Sequence, residues 1–163
     1  MSACYCTWIR IGGRLQHAHL DEFLKAVAAA GVGLEWGEPP FEPTSAGELI
    51  EVLQEDRLWL CDVEARNGEF PELEKTCRRL RLAYTRHTEG SCDCDAELID
   101  WRPGSKQPLV RIGSNVNTAT TYVAADAVRE ALTALEAGQA PQAIEMLRML
   151  CPDMPELPPF EIV

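Results

Sequence analysis

Hydrophobic and polar positions alternate strictly over residues 4–11, with Tyr5, Thr7, Ile9 and Ile11 on one side and Cys4, Cys6, Trp8 and Arg10 on the other. A period of two predicts a strand with two usable faces, closed by Gly12-Gly13. The period then changes. Leu20, Phe23, Leu24 and Val27 recur at helical spacing, with Asp21 and Glu22 in the first turn and Gly31 as terminator. After the connector Gly37 to Pro43, Ser45-x-x-Glu48 precedes Leu49, Ile50, Val52 and Leu53, a capping box opening a short helix.

Leu58 to Ala65 reads as a second strand, with Trp59, Cys61, Val63 and Ala65 on one face. Asn67-Gly68 turns the chain into a helix striped by Phe70, Leu73, Cys77 and Leu80. Leu82 to Thr88 is a third strand. Cys94 to Arg102 and Leu109 to Ile112 form a hairpin across Pro103-Gly104-Ser105-Lys106. The polar loop Gly113 to Thr121 leads to a helix bearing Val128, Ala131, Leu132 and Leu135, closed by Gly138. Pro141 opens a last helix with Ile144, Leu147 and Leu150.

The order β-α-α-β-α-β-β-β-α-α predicts an α+β fold: a mixed sheet of about five strands with helices mainly on one face. Residues 1–151 are expected to form a single domain, and residues 152–163 a Pro-rich tail unsuited to regular helix or central strand. A chain of 163 residues that is 46% hydrophobic and 25% charged can bury its own core.

Charge changes the picture more than composition does. Of the net −11, residues 35–74 alone supply −10, while residues 75–111 carry +3. Such a field repels nucleic acid and attracts basic surfaces. Direct nucleic-acid contact is therefore not expected, and the basic run Lys75 to Arg81 is explained by capping a helix C-terminus. On the predicted helix, Glu48, Glu51 and Glu55 fall at i, i+3 and i+7, with Glu38, Glu42 and Asp56 flanking them. These six residues are the candidate surface for docking on a basic partner protein, as an inhibitor, adaptor or nucleic-acid mimic would.

No signal-peptide pattern and no run of about 18 apolar residues occurs, which points to a cytoplasmic protein and excludes a membrane helix. Seven cysteines in that setting read as thiols or metal ligands. Twelve arginines against three lysines suit a bacterial or phage genome rich in GC. The alternative reading is a small zinc protein. Cys4-x-Cys6 and Cys92-x-Cys94 would each present two thiolates to one ion if their strands were neighbours. His17-x-His19 and a pairing of His87 with a cysteine are lesser candidates for metal or thiol chemistry. The phosphate-loop, nucleophile-elbow and His-Glu-x-x-His patterns are absent, so no enzymatic class emerges. No motif is specific enough to assign a family.

Overall fold

Strand β1, Cys4–Leu15, is the element on which the rest of the sheet assembles in a computed structural model that describes residues 4–90, 95–112, 123, 125–150 and 155–163. β1 pairs antiparallel with β2, Leu58–Arg66, on one side and with β3, Ala83–Thr88, on the other. β4, Glu97–Trp101, and β5, Leu109–Ile112, complete the order β2-β1-β3-β4-β5. The α+β class and the five-stranded core expected from the pattern are both present.

One face of this sheet is apolar. Ile9, Ile11, Leu58, Leu60 and Tyr84 are sealed beneath α1, Leu20–Ala30, and α3, Pro71–Leu80. Phe23, Leu24 and Val27 of α1 and Leu73 and Cys77 of α3 fill the same cluster. Each such side chain contributes about 1.5–3 kcal/mol by leaving water. Gly31 ends α1 at φ 68°, the left-handed value for which glycine is suited. Ser45 caps α2, Ala46–Glu51, by accepting the amide of Glu48, as the capping-box spacing requires.

Two expectations change. On β2 the inward residues are Leu58, Leu60 and Ala65, while Trp59 and Cys61 lie on the outer face. Between Tyr5 and Thr7 the register slips, and β2 advances from Ala65 to Asp62, so β2 carries one extra residue there. This bulge inverts the alternation, and Ala65 does not share a face with Trp59. The second change concerns Gly12-Gly13. The pair does not end β1, which continues to Leu15.

What Gly12 provides is room for the C-terminal tail. A Cβ at that position would collide with the carbonyl oxygen of Pro158. Gly13 donates to Pro159 O at 2.8 Å, and β6, Phe160–Ile162, then pairs parallel with Gly13–Leu15. Phe160 enters the core against Phe23. The tail is thus a sixth strand at one end of the sheet.

α4, Ala125–Glu136, and α5, Ala140–Leu150, pack on each other. The expected helical stripes are Val128, Ala131, Leu132 and Leu135 on α4 and Ile144, Leu147 and Leu150 on α5. Ala131, Ala134 and Ala143 are the buried residues, while Val128, Leu132, Leu135, Ile144 and Leu147 are exposed among the described residues. The small alanines allow close helix approach.

Candidate functional site

Between α1 and β2 the chain makes an excursion, residues 32–57, along the edge of the sheet. It is pinned by paired bonds between Gly33 and Cys61, at 2.8 and 2.9 Å, and by the wholly buried Leu49. Seven carboxylates ride on it: Glu35, Glu38, Glu42, Glu48, Glu51, Glu55 and Asp56, all exposed. Six of them form no salt bridge and no side-chain hydrogen bond among the described residues. Glu48 differs. Its carboxylate accepts from the amide and the hydroxyl of Thr44, at 2.7 and 3.0 Å, so it holds the start of α2.

The expected stripe of Glu48, Glu51 and Glu55 on one helix face does not form. α2 ends at Glu51, and Glu55 and Asp56 occupy a tight turn at φ 50° and 60°, closed by reciprocal bonds between Gln54 and Arg57. Two adjacent positive φ values suit Asn-Gly better than Glu-Asp. The turn is held from outside, since the Asp56 carbonyl accepts the Phe160 amide at 2.7 Å. Arg57, the excursion's one cation, donates to the carbonyls of Leu157 and Glu55 and leaves these carboxylates alone.

Strand order bears on the thiols. Cys4 is exposed and Cys6 half-buried, whereas Cys92 and Cys94 lie outside the described residues, as does the loop Gly113 to Thr121. β3 stands between β1 and β4, so the direct adjacency assumed for the two Cys-x-Cys motifs is missing. Glu89, just past β3, nevertheless donates its amide to Cys6 O at 2.9 Å. Among the described residues no group of three His, Cys, Asp or Glu could hold a metal ion. Burial, then the carboxylates of Glu89 and Asp62, pushes the Cys6 thiol up. Burial likewise pushes Cys61 up to about 11, and drives Cys77 higher still. His17 and His19 form an exposed turn of 3-10 helix before α1. His87 stacks on Trp8, whose strand separates it from Cys61 by roughly 9–10 Å, two strand spacings. That distance forbids proton transfer between them.

The basic run is spent on neighbours. Lys75 pairs with Glu72, Arg79 with Glu22, and Arg78 with Glu74 and the Tyr84 hydroxyl. Arg81 takes the left-handed cap of α3 at φ 59°.

No family model, curated protein or solved structure matches this chain. Function must therefore be argued from its own surfaces.

One such surface was not visible in the sequence. On the outer face of the sheet, pairing aligns Trp59, Arg10, Thr85 and Asp100 across four strands. Asp100 is buried and accepts from Thr85 at 2.7 Å, from Arg102 at 3.4 Å and from Arg111. Burial lowers the pKa of Arg102, and Asp100 opposes that shift. Arg57 and Arg102 also grip the tail, through Leu157 O and Pro155 O. Between sheet and tail lies a cleft of about 420 Å³ lined by Trp8, Arg10, Thr85 and these arginines, with Glu55 and Glu156 also on its wall. The one local signal was the outward Trp8-x-Arg10 pair; the remainder depends on register between distant strands.

Proposed function

We propose that this chain is a non-enzymatic interaction protein, an inhibitor or adaptor of bacterial or phage origin, which docks a carboxylate surface on a basic partner protein in the cytoplasm. The observation that carries this reading is the group of six exposed carboxylates on the excursion from Glu35 to Asp56 that are unpaired among the described residues. Unpaired surface charges repel one another by a few tenths of a kcal/mol per close pair, a cost that a complementary basic surface would reverse. A nucleic-acid-binding protein has such a surface, and the carboxylates would then compete with phosphates for it. Residues 1–151 would act as one domain, with the tail strand completing its sheet. No helix among the described residues is long and apolar enough to cross a membrane.

The test is to convert Glu38, Glu42, Glu51 and Asp56 to amides and to compare proteins retained by the variant and by the wild type across salt concentrations. Basic proteins held by the wild type and released by the variant support the reading. Identical retention and identical salt slopes reject it.

A second reading, a small zinc protein using Cys4, Cys6, Cys92 and Cys94, is favoured by one observation: the chain leaves β3 beside Cys6 on its way to Cys92. Zinc content in tag-free protein, with loss of stability on chelation, would support it; metal-free protein with an unchanged melting curve would reject it.

A further inference from the structure

Arg10 is the arginine in the outer-face cleft that nothing claims. Its guanidinium lies 4.4 Å from the ring centre of Trp59 and 5.5 Å from that of Trp8. Apart from these ring faces it has no hydrogen bond and no ion pair among the described residues. Asp100, beyond Thr85 in the row and also on the cleft wall, is engaged by Thr85, Arg102 and Arg111. Arg57, on the same cleft, spends its donors on carbonyl oxygens and has no carboxylate partner. Trp8 also lines the cleft, and its buried Nε1 meets no acceptor among the described residues. Buried donors normally find partners, because an unmet one costs about 1–3 kcal/mol.

We propose that this cleft binds a small oxyanion, a carboxylate or phosphate group, with Arg10 as its principal donor and Arg57 as a second positive charge. A guanidinium held over an aromatic ring retains its N–H donors, and its fork can give two parallel bonds to such a group. The cleft volume suits a small-molecule ligand. Glu55 and Glu156, both exposed, also line the cleft and would disfavour ligands whose charge extends toward them. The site shares Glu55 with the docking surface, while the excursion's other carboxylates do not line it.

Inorganic phosphate and citrate, titrated separately into the full chain, test the proposal. The four tryptophans give four indole N–H resonances, of which Trp8 and Trp59 are expected to shift saturably while Trp36 and Trp101 stay still. Whichever anion binds more tightly identifies the group. Arg10→Gln should weaken binding by about tenfold or more, the value of one charge-assisted contact. Arg10→Lys should weaken it less, and Arg129→Gln, on exposed α4, not at all. Should Arg10→Gln unfold, Arg10→Lys still decides, since an altered affinity with a native melting curve requires contact with the anion. Absence of saturable shifts with both anions overturns the site. So does equal weakening by Arg10→Gln and Arg129→Gln, which would mark diffuse attraction alone.

Discussion

Carboxylates on the excursion from Glu35 to Asp56 are exposed and meet no cation among the described residues, whereas Asp100, on the outer face of the same sheet, is held by two guanidiniums and a hydroxyl. The first group is contiguous in sequence and needs no strand pairing to assemble. The second exists only because β3, β4 and β5 bring Thr85, Asp100, Arg102 and Arg111 together. Coulomb energy scales inversely with local dielectric, so the same unit of charge has opposite consequences in the two places. In water it is nearly free to keep and available to a partner. Inside the sheet it is costly to bury and, once paired, costly to remove. A buried counterpart lies on the apolar face, where Arg86 meets Glu74 at 2.9 Å and Thr88 Oγ1 at 2.8 Å. Both buried networks join successive elements, α3 with β3 in one and β3 with β4 and β5 in the other.

The largest effect should come from Asp100. Asp100→Ala leaves Arg102 and Arg111 facing each other without their carboxylate, and is expected to cost about 3–5 kcal/mol in denaturant unfolding. A loss no greater than that of a surface substitution would mean that solvent screens this pair as it screens the excursion.

The tail that walls the cleft comes next. Gly12→Ala drives a methyl group into the Pro158 carbonyl and should cost about 1–3 kcal/mol, with earlier proteolysis near the C-terminus. Unchanged protection of the tail would show that Arg57 and Arg102 hold it without β1.

On the acidic side the effects shrink. Glu48→Gln keeps an acceptor toward Thr44 but loses its charge, and should cost under about 1 kcal/mol. Amides at Glu38, Glu42, Glu51 and Asp56 should change stability by no more than about 0.5 kcal/mol, on the stabilising side, because they relieve repulsion. A loss above that would place these residues in the folded architecture and blur the contrast with Asp100.

The smallest effect reads the distance between the excursion and β2. Glu35 and Glu38 help raise the Cys61 thiol, behind burial. With Glu35→Gln and Glu38→Gln the alkylation profile of Cys61 should move to lower pH. The sign follows from the thiol. It stays protonated in the folded chain while the unfolded chain ionises near 9.0, so its stabilising contribution is present below that pH and is lost toward about 11.

The sequence was informative wherever a signal was local. Gly31 ended α1, Ser45 and Glu48 opened α2, Asn67-Gly68 turned the chain into α3, and Pro103 to Lys106 joined β4 to β5. It was silent or misleading wherever distant segments met. Gly12-Gly13 looked like a strand end because the tail that needs the missing side chain lies more than 140 residues away. Ala65 looked as if it shared a face with Trp59 and Cys61 because the bulge opposite Cys6 cannot be seen in β2 alone. On α4 and α5 the buried residues are Ala131, Ala134 and Ala143, and of these the helical stripes contained Ala131 alone. The exposure of the acidic residues was legible, but not that α2 stops before Glu55 or that Thr44 engages the Glu48 carboxylate. The second point makes Glu48 a poor choice for testing docking.

The most direct measurement is salt-dependent retention of basic proteins by the wild type and by the variant with amides at Glu38, Glu42, Glu51 and Asp56. The account predicts a partner that binds the wild type, weakens as salt rises, and is lost from a variant whose unfolding curve is unchanged. A partner retained equally by both, with the same salt dependence, would contradict it.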